Sequence, residues 1–218
     1  MSSHTLVLIS GYSVLLAAVI GFLRYQKVTP DDRPFFFIVW IALICEITSA
    51  ICTSTMHSTS VNNNIYVLIE ALLFAWLFDR WGSLSRKKNR LRLLQGFIVV
   101  VWVLDNLILN KLTHTNSLFR IVSSFIMVFL AINQINQLIT TERGTLIRNS
   151  RFLISAGMVI YFSYKAIIET FFLIQLPFSD TFYIYVLLIM DHINLFVNLI
   201  FALAALWIPT RRKFILPS

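Results

Sequence analysis

Seven apolar runs, each long enough to cross a hydrocarbon core of about 30 Å as a helix, take up most of this sequence. They cover residues 5–23, 34–52, 64–81, 93–110, 117–139, 152–175 and 182–207. The connections are too brief for a separate domain. The expected fold is therefore all-α, a polytopic membrane protein forming one seven-helix bundle over residues 1–218. Of the 218 residues, 58% are hydrophobic and 13% charged, where a soluble domain carries about 25% charged. A disordered chain is excluded by the same richness in Phe, Ile and Leu.

A net charge of +8 would point to nucleic acid in a soluble protein. Here the cations mark loops. Arg24, Lys27 and Arg33 follow run 1; Arg80, Arg86, Lys87, Lys88, Arg90 and Arg92 follow run 3; Arg143, Arg148 and Arg151 follow run 5; Arg211, Arg212 and Lys213 follow run 7. The opposite loops hold only Lys111. Cytoplasmic loops are the ones enriched in Lys and Arg, so the N-terminus is expected outside and the C-terminus in the cytoplasm of a multi-pass plasma membrane protein. The partner this implies is the lipid bilayer, not nucleic acid.

After the loops are subtracted, the membrane layer is acidic. Glu46, Glu70, Asp105, Glu169 and Asp191 face only Arg120 and Lys165, a balance of −3. A charge near the bilayer centre costs about 2.5–3.5 kcal/mol on insertion scales, so such residues turn inward and are functional candidates. At about 1.5 Å per residue, Glu46, Glu70, Asp105 and Glu169 lie roughly 8–9 Å from the outer ends. Lys165 and Asp191 lie roughly 13–15 Å down. Helices running in opposite directions thus bring their charges to similar depths. The expected site is an outward-opening polar pocket of Glu46, Glu70, Asp105, Tyr161, Lys165, Glu169, Asp191 and Asn194.

Spacing organises it further. Tyr161, Lys165 and Glu169 recur on one helical face, where Lys165 and Glu169 can pair. Asp191, Asn194 and Asn198 form a stripe leading inward, and Asn133 and Asn136 could extend such a stripe toward the cytoplasm. The run Phe35, Phe36 and Phe37 reads as lipid-facing. Two accounts of the charges stand side by side: a functional pocket, or structural ion pairs with Asn and Ser as interhelical glue worth about 0.6 kcal/mol each.

No catalytic, cofactor or metal pattern accompanies the charges. His192 stands alone in the membrane layer, whereas a seven-helix zinc amidohydrolase would need several histidines there. The seventh run has no lysine for a retinal Schiff base. Asp79-Arg80-Trp81 is similar to the acidic-Arg-aromatic triplet of G-protein-coupled receptors, but no receptor-like proline motifs follow it. Runs 1–3 and 5–7 share the same in-out order. That resembles the three-plus-one-plus-three arrangement of sugar-efflux and nicotinamide-riboside transporters. Ile65-Tyr66-Val67-Leu68 before Glu70 and Ile184-Tyr185-Val186-Leu187 before Asp191 are its local echo.

Two functions fit these residues. In the first, the pocket binds a small polar ligand or a proton and signals to a cytoplasmic protein partner. The basic loop Arg86, Lys87, Lys88, Arg90 and Arg92 would be its dock, or would contact anionic headgroups at about 1 kcal/mol per charge. In the second, the chain is a small transporter or proton-coupled permease. A structural or pore-forming subunit would leave the same pattern. The scarcity of Gly and Pro inside the runs favours a sensor, because discontinuous transport helices use such breaks.

Overall fold

A computed structural model describes residues 3–55, 58–84, 89–109, 112–113, 116–142, 145–174 and 178–210. Seven helices are long and apolar enough to span a membrane: α1 (Thr5–Arg24), α2 (Arg33–Thr55), α3 (Ser60–Arg80), α4 (Arg90–Leu109), α5 (Ser117–Thr141), α6 (Ser150–Ile174) and α7 (Asp180–Trp207). Among the described residues there is no strand, only an antiparallel bridge between Val28 and Thr210. The chain is a multi-pass, all-helical membrane protein. Large apolar side chains such as Leu16, Phe22, Leu93, Phe97, Phe129 and Phe196 point away from the bundle, as a lipid-solvated surface requires.

Six helices close a ring in the order α1, α2, α3, α5, α6, α7 and back to α1. The fourth packs outside it, against α3 and α5. Two sequential triads, α1–α3 and α5–α7, therefore meet along two seams, α3 with α5 and α6, and α1 with α7.

Two helices depart from regular geometry without any proline. The first span breaks at Ser13, between helical segments Ser3–Tyr12 and Val14–Arg24. There the amide of Ser13 reaches only to the carbonyl of Ser10, and that of Leu16 to Ser13. The Ser13 hydroxyl donates to the Ser10 carbonyl, the kind of back-bonding that bends helices. In α4, Arg90–Val103 is α-helical and Leu104–Leu109 is a π-helical turn, a distortion that recurs at functional sites.

The end of the bundle carrying Arg24, Arg33, Arg80 and Arg151 is packed shut. Phe35, Phe36 and Phe78 are fully buried there, and Phe35 meets Phe201 edge to face at 5.6 Å. The expectation that residues 35–37 face lipid fails for Phe35 and Phe36, which are fully buried, Phe36 against Gly21; Phe37 is half-buried and stacks on Trp76. A polar clasp reinforces this end. The Asp32 carboxylate accepts from Trp81 Nε1 at 2.8 Å and from Arg151 Nε at 3.2 Å. Arg24 donates to the carbonyls of Ala205, Leu206 and Ile208 at the end of α7. The third helix stops in a glycine cap: Gly82 has φ +86°, and the amides of Gly82 and Ser83 return to the carbonyls of Asp79 and Phe78.

Candidate functional site

At the other end of the ring the interior is polar, and its two walls differ. On the α3–α5–α6 wall every ionised group has a partner. Lys165 Nζ lies 3.4 Å from Glu70 Oε2, and Tyr66 donates its hydroxyl to Glu70 Oε1 at 2.8 Å. Both charges are buried. The Lys165 ammonium also sits 5.4 Å from the ring centres of Tyr161 and Phe162. Beside this pair, Arg120 Nη1 lies 3.4 Å from Glu169 Oε1, its Nη2 donates to Asn64 at 3.1 Å, and Ser117 donates to Glu169 at 2.6 Å.

Asp105 is buried behind this wall and lines neither cavity described below. Its Oδ2 accepts the amide of Phe119, in the first turn of α5, at 2.7 Å. Adjacent Asn106 accepts from Asn116 at 2.9 Å. The π-helical turn places both consecutive residues in the interior. Asp105 thus satisfies one of the orphan amides at a helix start.

The α1–α2–α7 wall is built from neutral groups. Ser10 donates to the backbone carbonyl of Asp191 at 2.8 Å, Asn194 donates to Ser10 at 3.0 Å, and Asn198 donates to Ser13 at 2.8 Å. Set into this wall is Glu46. Among the described residues nothing donates a hydrogen bond to its carboxylate and no cation pairs with it. Its Oε2 lies against Gly11, so close that a Cβ added there would be 2.9 Å away.

Two cavities meet at Glu46, Tyr66 and Tyr161, which line both. The inner one, about 100 Å³, is bounded by Gly11, Glu70, Phe74, Phe162, Asn194 and Asn198. The outer one, about 610 Å³, is bounded by Ser117, Arg120, Lys165, Glu169 and Met190 among others. Comparison of the chain with known protein families, curated proteins and solved structures finds no match. The cavities therefore have to be read from their own chemistry.

Of the residues expected at one pocket, Glu46, Glu70, Tyr161, Lys165, Glu169 and Asn194 line the joined cavities. Asp105 does not, and Asp191 lines neither cavity while remaining within electrostatic range of Glu46. The expected Lys165–Glu169 pairing is replaced by two cross-helix pairs, because Glu70 and Arg120 present closer partners from neighbouring helices. The proposed extension of a polar stripe through Asn133 and Asn136 also fails. Both are exposed, Asn133 donates to the Ser83 carbonyl, and between them Gln134 is buried and accepts from the Ser83 hydroxyl.

Sequence reading passed over Gly11, Ser10, Ser13, Asn64 and the hydroxyl of Tyr66. The adjacent polar pair Asp105-Asn106 and the triplet Asn62-Asn63-Asn64 were visible signals of the network. His192 is exposed, with Nδ1 2.7 Å from the Leu188 carbonyl. Of the basic loop, Arg86, Lys87 and Lys88 lie outside the described residues, while Arg90 and Arg92 are exposed at the start of α4.

Proposed function

We propose that this chain is a small plasma membrane transporter whose solute occupies the joined cavities, with the N-terminus outside and the Arg-rich end in the cytoplasm. The observation that carries this reading is the position of the cavities at the seams between two helix triads. One seam is held by Glu70–Lys165 and Asn64–Arg120, the other by Ser10–Asn194 and Ser13–Asn198. Both sets of contacts can be remade as the triads rock, since they are polar and cross from one triad to the other. The cavity end is open and the Arg-rich end is closed by aromatic packing and the Asp32–Trp81–Arg151 clasp. An arrangement open at one end and sealed at the other is half of an alternating-access cycle. The irregular turns at Ser13 and at Leu104–Leu109 give two helices points of bending without glycine or proline.

Purified protein in liposomes should take up solute saturably when amines, amino acids, sugars and protons are screened in turn. Ser10→Cys with Asn194→Cys, in a chain with Cys45→Ala and Cys52→Ala, should stop that uptake on oxidation and recover it on reduction, because it ties α1 to α7. Uptake unaffected by the cross-link would sink the rocking of the triads, and no uptake of any class would sink transport.

A second reading rests on Arg90 and Arg92, which are exposed and carry no ion pair among the described residues. Here the same cavity binds a ligand or proton and the basic loop presents the change to a cytoplasmic protein. Absence of flux together with a partner lost on Arg90→Ala/Arg92→Ala would favour it.

A further inference from the structure

We infer that the inner chamber takes the cationic head of a small organic amine, with Glu46 as its counter-ion and the rings of Tyr66, Tyr161 and Phe162 as its walls. The inference rests on the reading of the joined cavities as a solute site and names the class of solute.

Five ionisable side chains of the acidic and basic types line the two cavities: Glu46, Glu70 and Glu169 against Arg120 and Lys165. Glu70 is matched by Lys165 and Glu169 by Arg120. One negative charge is left, and it sits on Glu46 where the two cavities join. A carboxylate held inside a protein calls for a positive partner or a proton, and among the described residues the chain supplies no cation to Glu46.

The surroundings select the kind of cation. A hard metal ion takes six or more oxygen ligands, whereas the lining around Glu46 is mainly Val14, Ile38, Val39, Phe74, Phe162 and Phe201. Among the described residues no group of acids, His or Cys is placed to hold a metal. Aromatic faces attract ammonium groups within about 6 Å. This wall already does so, since the Lys165 ammonium rests on Tyr161 and Phe162. Asn194 and Asn198 also line the chamber, their amide nitrogens engaged by Ser10 and Ser13. The inner chamber accommodates only a small head, and the wider outer cavity has room for whatever the head is attached to.

A glycine also leaves room for the carboxylate. Gly11 lies opposite it, and a methyl group there would collide with Oε2. Gly11→Ala therefore displaces the Glu46 head without altering any charge.

The test uses the full chain in detergent, titrated calorimetrically with ethylammonium chloride, and with sodium chloride, sodium acetate and glycerol as comparisons. Saturable binding of ethylammonium alone is expected. Glu46→Gln should weaken it about tenfold or more, as removal of a desolvated charge partner does. Gly11→Ala should weaken it in the same direction, and His192→Gln, at an exposed position, should leave it unchanged. Thermal midpoints and gel filtration establish that each variant is folded. Equal binding of acetate and ethylammonium, or undiminished binding by Glu46→Gln, overturns the inference. So does a response to pH with no response to the amine, which would make the proton the occupant. Binding without flux in liposomes would remove transport and keep the amine site, while flux of a neutral solute untouched by Glu46→Gln would do the reverse.

Discussion

The two walls of the cavity bury polar groups by different means. Along α3, α5 and α6, charge is set against charge, Lys165 with Glu70 and Arg120 with Glu169, while behind them Asp105 of α4 accepts a backbone amide. Along α1, α2 and α7, amides and hydroxyls bond to one another, and two carboxylates have no cation among the described residues: Asp191, outside the cavities, and Glu46, which lines both. A matched wall is what structure needs, because removing one member of a buried pair strands the other. An unmatched charge does not help folding, so its presence points to something outside the chain.

The largest expected effect breaks the matched wall. Lys165→Met leaves Glu70 buried without its cation and should lower stability by about 3–5 kcal/mol, read from thermal or detergent-induced unfolding. Lys165→Met with Glu70→Leu should recover most of that loss. An unchanged midpoint in the single variant would mean the pair is not structural. Next, Asp105→Ala strands the buried amide of Phe119 and should cost about 1–3 kcal/mol. Protection of the first turn of α5 in hydrogen exchange should fall with it, and retention of that protection would refute the capping role.

At the closed end, Trp81→Phe removes the indole donor to Asp32 and should cost about 0.5–1.5 kcal/mol. Unfolding of this variant tests whether the clasp is a fastening or only a contact. On the neutral wall, Asn198→Ala loses its bond to Ser13 and should cost about 0.6 kcal/mol, typical of interhelical bonds in membranes. The smallest effect should come from Glu46→Gln, whose midpoint should stay within about 0.5 kcal/mol of the parent. A large loss there would show that Glu46 has a structural partner and would erase the contrast between the walls.

Much of the fold was legible because hydrocarbon imposes a simple length rule, and the runs ending near residues 24, 55, 80 and 207 obey it. The charged residues were legible as a layer for the same reason. Their partners were not. Lys165 and Glu169 stand one turn apart, yet each turns to a residue on another helix, Glu70 or Arg120. Phe35 and Phe36 have the composition of a lipid-facing run and the position of a core. Ser13 and Leu104–Leu109 carry no proline, so the irregularities there were invisible until the hydrogen bonds were seen.

By itself the sequence determines that seven helices cross a membrane and that acids outnumber bases within it, since both follow from the cost of placing charge and bare backbone in hydrocarbon. Only the tertiary structure decides which acids are left without a cation and which of them lines a cavity. That depends on how each helix is rotated and which helices are neighbours in the ring, and hydropathy is blind to both. The −3 of the membrane layer thereby divides into Asp105, spent on a helix start, Asp191 at the margin of the cavities, and Glu46, unmatched where the two cavities meet.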